Sequence, residues 1–111
     1  MFYKVKIFVS YTVRDSMVTK ELLEKVNKML LAFSEPYIDL LHNDSFDKQA
    51  RVKQELIKSD VILLLESDAI SDSPWVQWEI DTAMNLGITV KAICIRNQLP
   101  NQSSIRAVIE G

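Results

Sequence analysis

The segment Val61-Ile62-Leu63-Leu64-Leu65 decides the fold. It is apolar at every position, with no polar residue alternating along it. A strand with one wet face alternates, whereas a strand covered by helices on both faces does not, and strands of the second kind lie inside parallel sheets. This segment is therefore expected at the centre of such a sheet.

The pattern on either side supplies the rest of the sheet and its helices. Upstream, Val5, Ile7 and Val9 alternate with Lys6, and Phe8 joins them in a short strand. From about Ser16 the period changes, and Val18, Leu22, Leu23, Val26, Met29, Leu30 and Phe33 fall on one helical face. Lys20, Glu21, Glu24, Lys25 and Lys28 take the other face, and Asp15 or Ser16 is the expected cap. Pro36 bars continuation of the helix, so Tyr37 to Leu41 reads as a second strand and His42 to Ser45 as a turn. Asp47 is expected to cap a mostly polar helix through Lys58, its buried stripe being Ala50 or Val52 with Leu56 and Ile57.

Downstream, Ser73-Pro74 places a capping residue before a proline at the first helical position. That helix should run to Leu86 and stop at Gly87. Ile88 to Ile95 forms the last clear strand, with Thr89 and Lys91 alternating in a way that suits a sheet edge. Asn97 to Gly111 holds a turn and about one turn of helix around Ile105 to Ile109. The order β-α-β-α-β-α-β predicts an α/β fold, an open parallel sheet with helices on both faces.

Composition narrows the classes of function. The 111 residues suit one domain, residues 1–111, and 48% hydrophobic with 25% charged residues is ordinary for a globular chain. Net charge is −2 with both signs mixed along the chain, so no basic stripe suggests a nucleic-acid partner. The longest apolar run is far below the ~20 residues of a membrane span. The first residues are too charged for a signal peptide, so a soluble cytoplasmic protein with no membrane partner is expected. Cys94 is the one cysteine; it cannot close an internal disulfide and is expected as a small buried hydrophobe.

In such sheets ligands bind beyond the carboxyl ends of the strands. Those ends are Ser10 to Asp15, His42 to Ser45, Glu66 to Asp68, and Arg96 with Asn97. A dinucleotide fingerprint or P-loop needs glycines after the first strand; that loop has none, and the chain has two. A phosphoacceptor site needs acids ending the first strand and an aspartate ending the central one, where Ser10 and Glu66 or Ser67 stand instead. What survives is Ser71 to Met84. There Trp75, Glu79, Thr82 and Leu86 share a helical face, and Val76, Ile80, Ala83 and Met84 form the adjoining face, expected against the sheet. Glu79 thus falls between core and cleft, one turn from Trp75. A carboxylate so placed binds ribose hydroxyls or stabilises an oxocarbenium cation, with Trp75 as a flat wall. Spacing alone favours the plainer reading, a solvated Glu79 with Trp75 and Trp78 as packing anchors.

Three blocks resemble the TIR (Toll/interleukin-1 receptor) domain family, in its bacterial stand-alone form. Lys6-Ile-Phe-Val-Ser-Tyr11 resembles the family's opening strand, Ser59 to Ser67 its third strand, and Ser73-Pro-Trp-Val-Gln-Trp-Glu79 its Ser-x-Trp-x-x-x-Glu helix start. They stand in family order and cover most of Lys4 to Ile95. The resemblance implies a flavodoxin-like sheet of order 2-1-3-4, with a fifth strand short or missing. It also implies one of two functions. Some members cleave NAD+ at the nicotinamide–ribose bond, giving nicotinamide and linear or cyclic ADP-ribose, with the glutamate at the Glu79 position essential. Others are non-catalytic interaction modules that bind themselves or other TIR domains.

Ser10, Tyr11 and Arg14 match the loop lining the family's cleft, and with Trp75 they are the expected substrate contacts. Arg14 either holds phosphate or is a solvated loop arginine. NAD+ enters as substrate, and no cofactor or metal is expected. The loop from His42 to Asp47 lacks the family's usual glycine, and its histidine, the chain's only one, is not expected to be catalytic. Nucleoside deoxyribosyltransferases, which carry a glutamate on the corresponding helix, are a third possibility, although their approach to it is glycine-rich.

Overall fold

The computed structural model describes residues 4–13, 18–95 and 100–110. Four parallel strands, β1 (Val5–Ser10), β2 (Ser34–Tyr37), β3 (Val61–Glu66) and β4 (Thr89–Cys94), lie in the order β2-β1-β3-β4. The helices are α1 (Lys20–Leu31), α2 (Asp39–His42), α3 (Lys48–Lys58), α4 (Pro74–Asn85) and α5 (Gln102–Glu110), with a 3-10 turn at Ile70–Asp72. The expected strand order and the flavodoxin-like α/β architecture are both found. β3 lies between β1 and β4, as its unbroken apolar run requires.

Strand parity divides the core into two. Ile7 and Val9 of β1, with Leu63 and Leu65 of β3, pack against Leu22, Leu23, Val26 and Leu30 of α1 and Ile105 of α5. Phe8 and Ile62 point the other way, toward Val52 and Leu56 of α3 and Ala83 of α4. Successive strand residues face opposite sides, so Ser10 shares the face of Phe8 and points to the α4 layer.

The boundaries differ from expectation where local polar groups override hydrophobic pattern. The cap of α1 is Thr19, whose side chain accepts from the Leu22 N–H at 3.1 Å, so the helix starts later than Asp15 or Ser16 implies. Asp15 and Ser16 lie outside the described residues. β2 is Ser34–Tyr37 rather than Tyr37 to Leu41 and runs through Pro36, which an edge strand tolerates. Asp39 to His42 turns into α2 instead. The ring of His42 accepts the Ile38 N–H at Nδ1 (2.8 Å), a local bond that an extended chain would not make.

Asp47 caps α3 as expected, accepting from Ala50 N at 3.1 Å; of its predicted stripe Val52 and Leu56 are buried, while Ala50 and Ile57 are exposed. Ser73 caps α4, and Gly87 ends it at φ 75°, the left-handed conformation that favours glycine. Met84, expected against the sheet, is 66% exposed because the buried stripe of α4 is Val76, Glu79 and Ala83. Cys94 is exposed, not buried: parity puts it opposite Ile93, on the Val90 face at the end of edge strand β4, where Ala92 is exposed too. The C-terminal segment forms a helix of nine residues, longer than one turn. No helix among the described residues is long and apolar enough to cross a membrane.

Candidate active site

The chain leaves β1 for α1 and β2 on one side, then returns past β1 to β3. That reversal opens a crevice beyond the carboxyl ends of β1 and β3. A cleft of about 300 Å³ lies at this end of the sheet. Tyr11 and Thr12 follow β1 into it, Asp39 and Leu40 follow β2, and Ser73, Trp75 and Glu79 come from the start of α4.

Glu79 is only 4% exposed, so the solvated alternative does not describe it. It lies on the buried stripe of α4, three residues after Val76 and four before Ala83, and so projects onto the sheet at the end of β1. There Ser10, fully buried, donates from Oγ to Glu79 Oε1 at 2.8 Å. Strand parity thus brings together residues sixty-nine positions apart. Burial holds the Glu79 carboxyl up at about 7. The bond from Ser10 pulls it back down, the negative charge of Asp39 pushes it up, and a hydrogen bond from the Trp75 side chain lowers it again.

The remaining residues build the walls. Trp75 is 40% exposed and stacks on Trp78, ring centroids 5.1 Å apart and planes at 18°. Both readings of this tryptophan therefore apply in part: one face packs and another lines the cleft. Tyr11 accepts the Leu40 N–H on its hydroxyl oxygen at 2.9 Å, joining the loop after β1 to α2. Burial, the leading cause, pushes its phenol up to about 12. Ser10, Tyr11, Trp75 and Glu79 are thus brought together, whereas Arg14 lies outside the described residues.

Asp39 is a site residue that sequence reading missed, having placed it inside a strand. It is a second carboxylate on the cleft, accepting on Oδ1 from Tyr37 Oη at 3.0 Å and from Asn43 Nδ2 at 2.6 Å. The signal for it was Asp39 to Asn43 at helical spacing just after a strand. Asn43 also braces this glycine-free loop through its side chain: its Oδ1 accepts from Ser45 N at 3.1 Å, and its Nδ2 donates to Lys48 O at 3.1 Å.

His42 is not among the residues lining the Glu79 cleft. Burial lowers its pKa, which keeps Nδ1 free to accept from Ile38. It lines a different hollow of about 360 Å³ along β2, with Arg51 and Glu55. Among the described residues no three His, Cys, Asp or Glu side chains gather as a metal site.

Residues 8–100 match the family model for the Thoeris protein ThsB, TIR-like domain. The chain belongs to this TIR-like family. A curated relative from Cytobacillus dafuensis, named as a candidate cyclic ADP-D-ribose synthase (TIR2), is 24% identical over 107 residues. The match takes in 89% of this chain but only 27% of that protein's length. Among solved structures, a 2-deoxyribosyltransferase from Bacillus psychrosaccharolyticus superposes with a TM-score of 0.64 at 15% identity. It covers 94% of this chain and 82% of the other, and it shows a shared fold.

Proposed function

We propose that this TIR-like chain cleaves NAD+ at the nicotinamide–ribose bond, with Glu79 as the catalytic carboxylate. The observation that carries the reading is the bond from Ser10 to a buried Glu79 at the wall of an open cleft. The name of the Cytobacillus dafuensis relative points to the same class of chemistry.

As the C1′–N bond breaks, its electron pair leaves with neutral nicotinamide, and positive charge gathers on C1′ and the ring oxygen. An ionised Glu79, withdrawn from water, offsets that charge more strongly than a solvated carboxylate would. Ser10 and the Trp75 side chain, both hydrogen-bonded to the carboxylate, fix its orientation toward the ribose. Trp75 gives the departing flat ring an apolar wall, and Tyr11 holds the loop that forms the opposite side. Water then attacks C1′ and loses a proton to give ADP-ribose, or a nucleophile of the adenine half attacks instead to give the cyclic product. Water is the only other reactant, so no cofactor is required. We place the reaction in the cytoplasm and include self-association, or docking with other TIR domains, in the same proposal.

The test is nicotinamide release from NAD+ at high protein concentration, followed by chromatography, for wild type and Glu79→Ala. Release by wild type alone supports the assignment. Equal release by both removes Glu79 from the reaction, and none from either, in a protein shown to self-associate, favours an interaction module.

A further inference from the structure

One wall of the Glu79 cleft is held from outside it, by the ring of His42. Ile38, which precedes α2, is fully buried and gives that turn no side-chain cap. Its N–H is taken by the His42 ring four residues on, at Nδ1 (2.8 Å). The Leu41 and His42 amides close back on Ile38 O at 3.0 and 2.9 Å, and the Asn43 amide on Asp39 O at 3.0 Å. A single turn of four residues is marginal by itself, so these few bonds decide whether it is closed. Closed, it sets Asp39 and Leu40 on the cleft, and the Leu40 N–H ties it to the Tyr11 hydroxyl.

The bond to Nδ1 fixes the state of the ring. A neutral imidazole has one acceptor nitrogen and an imidazolium has none. His42 therefore carries its proton on Nε2. A second proton, on Nδ1, would set one N–H against another and leave the buried Ile38 donor unpaired. The groups around the ring are mixed in charge. Tyr37 lies beside it, ring centroids 6.1 Å apart; Arg51 and Glu55 share its hollow from α3, Lys6 from β1 and Glu35 from β2. Asp39 stands on its own turn. Burial first, then Arg51, hold the pKa of His42 below the ordinary 6.5, against the opposite pull of Glu55. The ring is thus neutral at neutral pH and takes its second proton only below that ordinary value.

We propose that His42 is a positioning residue of the candidate active site: its neutral ring closes α2 onto the cleft, and a proton on Nδ1 opens that wall. The structural half of this proposal needs no reaction; the effect on turnover rests on NAD+ as the substrate. A displaced wall matters there, because misplacement by about 1 Å costs an enzyme about a hundredfold in rate.

The experiment follows the His42 ring nitrogens and the backbone amides by NMR between about pH 5 and 8, in wild type, His42→Asn and His42→Gln. Asparagine sets a carbonyl oxygen near the place of Nδ1 and does not titrate, whereas glutamine reaches to the place of Nε2. In wild type the neutral ring should carry its proton on Nε2, and the Ile38 and Leu40 amides should shift together at the ring's own midpoint. His42→Asn should keep the closed turn and lose that transition, and His42→Gln should resemble protonated wild type throughout. In turnover, wild type should steepen from about tenfold to about a hundredfold per pH unit once His42 also takes a proton, while His42→Asn keeps the shallower slope. A neutral ring with its proton on Nδ1, or a Leu40 amide indifferent to the His42 midpoint, overturns the proposal whatever the turnover. Equal slopes in an active wild type and His42→Asn overturn its catalytic half. No nicotinamide release from wild type removes the reaction and leaves the shifts to decide the turn.

Discussion

Replacing Glu79 by Gln should make the protein more stable at neutral pH, by an amount that depends on pH in a defined way. Burial first, then the charge of Asp39, hold the Glu79 carboxyl at about 7 against an ordinary value of 4.5. The unfolded chain releases the proton near the ordinary value, the folded chain only near 7. The group's contribution is therefore fully present below the ordinary value, falls as pH rises, and is gone above the folded value. The gap between the two values corresponds to ~3 kcal/mol, a large share of the ~5–15 kcal/mol that holds a small domain together. Glutamine is neutral throughout and its Oε1 still accepts from Ser10 Oγ, so the variant lacks this pH dependence. Urea denaturation of both proteins across the window checks it. Their stability difference should be small near the acid end and open by ~3 kcal/mol above neutrality. Groups common to both proteins, His42 included, cancel in the difference. A constant difference across the window would refute the reasoning, because it would mean that the carboxyl titrates as it does in water.

Further outcomes follow from the same geometry. If the ionised carboxylate acts, nicotinamide release should rise about tenfold per pH unit on the acid side and level off above about 7. Ser10→Ala removes a donor to the carboxylate, so the midpoint of that profile should move alkaline by about one unit; an unmoved midpoint would detach Ser10 from Glu79. Tyr11→Phe hands the exposed Leu40 N–H to solvent and should cost at most ~1 kcal/mol, read as faster hydrogen exchange at Leu40. Ser67 has a fully buried hydroxyl with no hydrogen-bond partner among the described residues. Ser67→Ala should therefore raise the thermal midpoint, with a gain of ~1 kcal/mol.

The parts of the fold legible in the sequence were those governed by periodicity and by capping chemistry. The run Val61 to Leu65 fixed the interior of a parallel sheet, and Ser73-Pro74 with Gly87 bounded α4 almost to the residue. What stayed hidden depends on particular side-chain contacts, one of them local and another between distant residues. Tyr37 to Leu41 looks extended because its residues are apolar or aromatic, yet the ring of His42 closes Asp39–His42 into a helical turn. That turn carries Asp39 to the cleft, and its one local signal is the helical spacing of Asp39 and Asn43. Glu79 was legible as a candidate from its spacing with Trp75. Its burial was not, since that depends on strand parity aiming Ser10 at α4 across the intervening chain. The exposed thiol of Cys94 is the reverse case, an apolar neighbourhood in sequence that becomes a surface at the end of an edge strand.

The two borders of the sheet are unlike, and this bears on how the molecule can grow. β2 carries Pro36 at its middle, opposite Ile7, and a strand arriving from outside would find one amide donor missing there. β4 pairs only with β3 among the described residues and has no proline. Among the described residues, β4 is therefore the border on which a strand from a second copy would find no donor removed by proline, and β2 the border on which Pro36 withholds one.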